Sequence, residues 1–185
     1  MENQKTIDRG ALRAISYGLY IVSSSRGDRF NGQVANAVMQ VTADPMGLAV
    51  CLHRDNLTTE FIKSSGHFSV SVLERDTPMT FIGTFGFKCG RDIDKFAACD
   101  HRRGSTGAPV VLDHTLAVIE ASVKMQMDFH THIMFLGEVE AASVLREGNP
   151  LTYAYYHEVK KGKSPKNAPT FGLNEGRRQT EGSGK

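Results

Sequence analysis

Three side-chain amides, Asn31, Gln33 and Asn36, are interleaved with the small residues Gly32, Ala35 and Ala37. An amide offers a donor and an acceptor together, and small neighbours let a ligand lie against the main chain. The stretch therefore suits a flat heterocycle with an imide edge. It suits equally a half-buried strand whose amides face water, and residue types alone do not choose. Further on, His53-Arg54-Asp55-Asn56-Leu57-Thr58-Thr59 ends one element and opens a helix. Asn56 is its N-cap, and the free N–H groups of the first turn, with Arg54, Thr58 and Thr59, make a place for a phosphate. An ordinary capped helix start has the same pattern. A polar planar ring at one end and a phosphate at the other describe a flavin mononucleotide.

Other reactive side chains give less. His130 and His132 would share one face of a strand, but no third ligand has suitable spacing, so no metal site is expected. Cys51, Cys89 and Cys99 form no CxxC pair and leave an odd count, which argues against a disulfide framework and for a reducing cytoplasm. Cys89 is expected to be a small buried hydrophobe. No glycine fingerprint of a dinucleotide-binding domain follows a strand.

The elements that must position these residues are mostly strands. Arg13 to Ser24 reads as a strand closed by a turn at Ser25 to Asp28, and Asn31 to Thr42 as a single returning strand. Asp44-Pro45 breaks it, and Met46 to His53, which carries Cys51 and Leu52, is an apolar buried strand. Thr58 to Ser65 predicts a two-turn helix stopped by Gly66, Phe68 to Leu73 a strand, and Asp76 to Phe85 a helix begun at Thr77-Pro78. Gly86 to Gly107 is a long connection, with Gly90 to Phe96 (GRDIDKF) as a lid or pocket rim. Leu116 to Gln126 and Ile133 to Leu145 alternate as strands around a turn at Asp128 to Thr131. Short strands and hairpin-length links imply an antiparallel barrel with a few helices.

Composition narrows the partners. The chain has 185 residues, with 22 Lys and Arg against 20 Asp and Glu, for a net charge of +2. That length fits one domain through Phe171, with residues 172–185 expected as a loose polar tail. No basic block with interleaved aromatics precedes the tail, so nucleic acid is not expected, and no apolar run predicts a membrane span or signal core.

The run NGQVANAVMQVTADPMGLAVCLHRDNLTTEFIKSSGHFSVSVL, Asn31 to Leu73, resembles the core signature of the flavin reductase-like, FMN-binding split-barrel family. Within that family it is most similar to flavoredoxin-like members and to the NADH:flavin oxidoreductase module of high-molecular-weight rubredoxins. The likeness continues through FGFKCG (Phe85 to Gly90) and through His132 ahead of Phe135-Leu136-Gly137-Glu138-Val139. It ends in LTYAYYHEVKKGKSPKNAPTF (Leu151 to Phe171).

The resemblance implies a mainly β fold with a few helices, a Greek-key antiparallel split β-barrel. It also implies bound FMN, NADH or NADPH as transient hydride donor, and a homodimer. Gln33, Ala35, Asn36, Ala37, Val38 and Met39 are then ring contacts, with Asn31, Cys51, Leu52 and His53 beside them. Arg54, Asn56, Thr58 and Thr59 hold the phosphate. Phe85, Gly86 and Lys88 form a loop next to the flavin, Tyr156 covers the pocket from the dimer mate, and His132 positions the donor. No CxxC iron site follows, so any rubredoxin-like acceptor is a separate protein. Two other readings stand beside the NAD(P)H:FMN oxidoreductase: an FMN electron carrier without efficient direct NAD(P)H oxidation, and a split-barrel binder of haem or another flat ligand.

Overall fold

The alternation from Asn31 to Thr42 predicts one strand, yet the chain turns a corner in its middle. In the computed structural model, which describes residues 7–171, Val38 N–H bonds the Asn36 carbonyl at 3.0 Å across a tight turn. The turn divides the stretch into two strands. The elements run β1 (Tyr20–Arg26), β2 (Arg29–Ala35), β3 (Val38–Ala43), β4 (Met46–His53), α1 (Leu57–Ser65), β5 (His67–Leu73) and α2 (Met79–Phe87). They continue with β6 (His101–Arg103), β7 (Pro109–Val111), β8 (Thr115–Phe129), β9 (His132–Val144) and α3 (Tyr153–Glu158).

Seven strands form one antiparallel sheet in the order β2-β1-β5-β8-β9-β4-β3. Because β2 and β3 are its two edges yet only Asn36 and Ala37 separate them, the sheet must roll until its edges nearly meet. That is the split barrel. The Ala37 carbonyl accepts from Cys51 N–H at 2.9 Å, tying the corner to β4.

Two apolar clusters follow from the alternation of side chains across strands. Val22, Leu48, Val50, Leu52, Phe68, Val70, Ile133 and Phe135 fill the barrel, closed at one end by Ile62 of α1. Ile21, next to Val22 but on the other face of β1, joins Leu19, Leu73, Ile82, Phe85, Phe96, Val111, Leu151 and Tyr156 in a second cluster. That cluster lies under α2, α3 and the segment between α2 and β8.

Four expectations need correction. The first strand starts at Tyr20, not Arg13, because Asp8 accepts the Gly10 N–H at 2.7 Å and caps a 3-10 helix over Arg9–Ala14. α2 starts at Met79, with Pro78 as N-cap. The connection from Gly86 to Gly107 holds strand β6, which pairs with β7. His130 sits in a turn with φ 50°, outside any strand, so it does not share a strand face with His132. The expected tail at residues 172–185 lies outside the described residues.

Candidate functional site

The two clusters meet along the end of β4, and a cavity of about 380 Å³ opens there. Ala35 and Leu52 reach it from the barrel, and Leu19, Ile82, Phe85 and Tyr156 from the second cluster. Its polar wall is the sequence-predicted one. Asn31 is buried and donates from Nδ2 to Thr58 Oγ1 at 2.8 Å, fastening the amide strand to the start of α1. Gly90 packs against Asn31 so closely that a Cβ there would overlap its carboxamide oxygen, so only glycine fits. Gln33 Oε1 is buried beside the cavity with no hydrogen-bond partner. An orphaned acceptor of this kind is rare unless a ligand completes it.

At the other end, Asn56 is the N-cap of α1 but makes no side-chain bond to the helix. The first-turn N–H groups are therefore left without a capping side chain and carry the positive end of the helix dipole. Asn56 Oδ1 instead accepts from Asn167 Nδ2 at 2.9 Å.

The structure sorts the candidate residues. Asn31, Gln33, Ala35, Asn36, Cys51, Leu52, His53, Asn56, Thr58, Phe85, Gly86, Lys88 and Tyr156 all line the cavity. Ala37, Val38, Met39, Arg54, Thr59 and His132 do not. Met39 lies on β3 beyond the corner and is 55% exposed. Arg54 faces Asp128 at 3.7 Å on the surface. Thr59 is buried and donates to the His53 carbonyl at 2.8 Å, bracing the elbow from behind. His132 stands behind His53, its ring edge-on at 5.2 Å. Burial, and then His53, push its pKa below the ordinary imidazole value, so it is neutral near pH 7. Tyr156 belongs to the cavity of its own chain, where its hydroxyl donates to the Lys163 carbonyl at 2.9 Å. Cys89 is exposed at the cavity, not buried as expected. Among the described residues no cluster of three His, Cys, Asp or Glu could hold a metal ion.

Two parts of the lining escape a sequence reading. Lys95, in the segment expected as a rim, is 6% exposed and donates to the Gly32 carbonyl at 3.0 Å and the Phe85 carbonyl at 3.2 Å. It staples the edge strand β2 to the last turn of α2, and burial draws its pKa down to about 8. The other part is a strap, residues 162–170, laid across the opening. Tyr153 OH bonds both Ser164 Oγ and Thr170 Oγ1 at 2.5 Å. His157 Nδ1 bonds the Gly162 carbonyl at 2.9 Å, and Asn36 Nδ2 donates to Thr170 Oγ1 at 3.2 Å. The prolines at 165 and 169 are the one local signal of a stiff segment, and its residue types do not say what it covers; only the resemblance over Leu151 to Phe171 puts the adjoining tyrosines over the flavin site.

Comparisons with known proteins agree with this architecture. Residues 12–162 match the model of the flavin reductase like domain. The chain is 52% identical over 165 residues to a high molecular weight rubredoxin of Moorella thermoacetica, covering 89% of this chain and 72% of that protein. It is 48% identical to a ferric-chelate reductase (NAD(P)H) of Archaeoglobus fulgidus, covering 89% and 98%. An FMN-binding protein from Thermus thermophilus, solved with bound p-hydroxybenzaldehyde, shares the fold at 22% identity and a TM-score of 0.71, covering 83% of this chain and 90% of that one. The order of the strands, the cavity at the β4 end and the match over residues 12–162 place the chain in the flavin reductase like domain family.

Proposed function

We propose that this oxidoreductase binds one FMN in the cavity and reduces it with NADH or NADPH. The observation that carries the reading is the pairing of an amide wall, with its unanswered Gln33 Oε1, and an uncapped start of α1 in one cavity. Imide edge and phosphate both find their complements there. A bound flavin would supply the chemistry: it takes a hydride from a nicotinamide and passes electrons onward.

The chain's own residues bind and orient. Asn31 and Gln33 present amide groups to the cavity, Thr58 and the first turn of α1 receive the phosphate, and Lys88 adds a cation from the end of α2. Phe85, Leu52 and Tyr156 exclude water. Hydride transfer needs no general base, so His132 acts as a positioning residue through His53.

The same reading includes a homodimer. Register places Met39, Leu136 and Met125 in one cross-strand row, Cys51, Met134 and Met127 in the next, and His53, His132 and Phe129 in a third. Met125, Met127 and Phe129 are more than half exposed. An apolar face of this kind, bordering the cavity at Cys51 and His53, fits burial against a second copy. Sedimentation at micromolar concentration is expected to give twice the chain mass. The cytoplasm is the expected compartment, with a separate electron-transfer protein as acceptor. No helix among the described residues is long and apolar enough to cross a membrane.

Anaerobic rapid mixing tests the activity. Bleaching of the flavin band by NADH or NADPH within seconds supports the enzyme. Bleaching only by a reduced protein donor moves the protein to the electron-carrier reading, and a preparation with a Soret band or no colour at all contradicts flavin binding.

A further inference from the structure

The chain as a whole is near charge balance, but the cavity is not. Lys88, Arg91, Lys95, Lys163 and Lys166 line it against one carboxylate, Asp55. Two of these cations are already answered. Arg91 pairs with Glu60 on α1, and the Lys95 ammonium is held by two carbonyls. Lys124, which pairs with Glu138 elsewhere, is the sole lysine in an ion pair among the described residues. Lys88, Lys163 and Lys166 therefore line the cavity with no carboxylate partner among the described residues.

A flavin mononucleotide brings one phosphate, and the start of α1 together with Lys88 answers it. The two strap lysines are left over. The strap is tied down beside each of them: the Lys163 carbonyl accepts from the Tyr156 hydroxyl, the Ser164 hydroxyl bonds that of Tyr153, and the Asn167 amide donates to Asn56. Both lysines are exposed and line the cavity. A strap carrying two such point charges is suited to a phosphate dianion that arrives and leaves, because lysine recognises phosphate by charge and needs no fixed fork geometry.

We propose that Lys163 and Lys166 select the hydride donor: they hold the 2′-phosphate of NADPH and make it the preferred substrate over NADH. The proposal rests on the flavin and hydride-donor reading above and adds the identity of the donor. The added dianion is also drawn toward the cationic rim before contact, so the preference weakens as salt rises.

The test is a calorimetric titration of the FMN-loaded protein with the unreactive oxidised forms, NADP+ and NAD+, at low ionic strength. NADP+ is expected to bind at least about tenfold tighter, the size that two exposed ammonium–phosphate contacts supply. In the Lys163→Gln/Lys166→Gln protein the ratio falls to about twofold or less with FMN affinity unchanged, and the Lys163→Arg/Lys166→Arg protein recovers it. Equal affinities in the unaltered protein, or a ratio that survives the glutamines, overturn the proposal. So does a loss of FMN affinity in the glutamine protein, which would assign these lysines to the flavin phosphate. A chain that takes up no FMN in direct titration overturns the flavin reading and this inference together, whereas one that takes it up and binds both nucleotides alike overturns this inference alone.

Discussion

The cavity has two walls that differ in how they are held. The barrel wall, from Asn31 to Ala35 and Cys51 to His53, is built on strands paired along their length and packed on buried residues such as Leu52 and Ala35. The cover, from Gly162 to Thr170, has no ladder and is held by a handful of side-chain bonds to Tyr153, Tyr156, His157, Asn36 and Asn56. A site that must grip a cofactor and admit a second substrate needs both kinds of wall. The barrel side fixes geometry, and the cover can open at little cost because few bonds must break.

The sharpest way to break the comparison is to weaken each wall and measure global stability. Leu52→Ala removes a side chain that is 1% exposed in the barrel core and should cost about 2–5 kcal/mol in urea unfolding. Gly90→Ala strikes the barrel wall at its surface. The added Cβ displaces the Asn31 carboxamide from Thr58, so FMN affinity should fall about tenfold with a smaller loss of stability. Tyr153→Phe strikes the cover. It removes the hydroxyl shared by Ser164 and Thr170 and should cost only about 1 kcal/mol globally. Amide exchange in residues 162–170, and the FMN dissociation rate, should nonetheless rise clearly. If Tyr153→Phe unfolded the chain as readily as Leu52→Ala, the two walls would not differ as described.

The smallest expected effect is one of pH. Burial lowers the pKa of His157 below its ordinary value, as it does for His132. The folded state therefore binds fewer protons than the unfolded state below the unfolded value of about 6.5, and stability rises with pH there. The contribution is fully present above that value and is lost as pH falls through the lower folded value. Lowering the pH from 7 to 5 should loosen the strap, visible as faster exchange at Gly162 to Thr170, and His157→Gln should flatten that dependence.

The barrel wall was legible in the residue pattern and the cover only through the family resemblance, for the same physical reason. Strands announce themselves by alternation, so β4, β5, β8 and β9 could be read from Met46 to Leu73 and from Leu116 to Leu145. The amides and the Asn56 elbow stood out against that pattern. The corner at Asn36 and Ala37 was missed because the apolar alternation runs straight through it. What bends the chain there is closure of the sheet, a nonlocal constraint. α3 was missed because Tyr153 to His157 is an aromatic run of strand-like composition; its one local signal is Thr152, whose hydroxyl caps Tyr155 N–H. The strap has no period at all. Its place over the cavity depends on Asn36 and Asn56, more than a hundred residues earlier, and Lys95 likewise finds its partners only once β2 and α2 are packed.

The most direct measurement is a titration of the purified chain with FMN, followed by flavin fluorescence, for the unaltered protein and for Asn36→Leu. The account predicts saturation at one FMN per chain with the emission quenched, and clearly weaker binding by a variant that remains folded in a urea titration. Emission left unchanged on mixing, or a folded Asn36→Leu protein that binds FMN as tightly as the original, would contradict it.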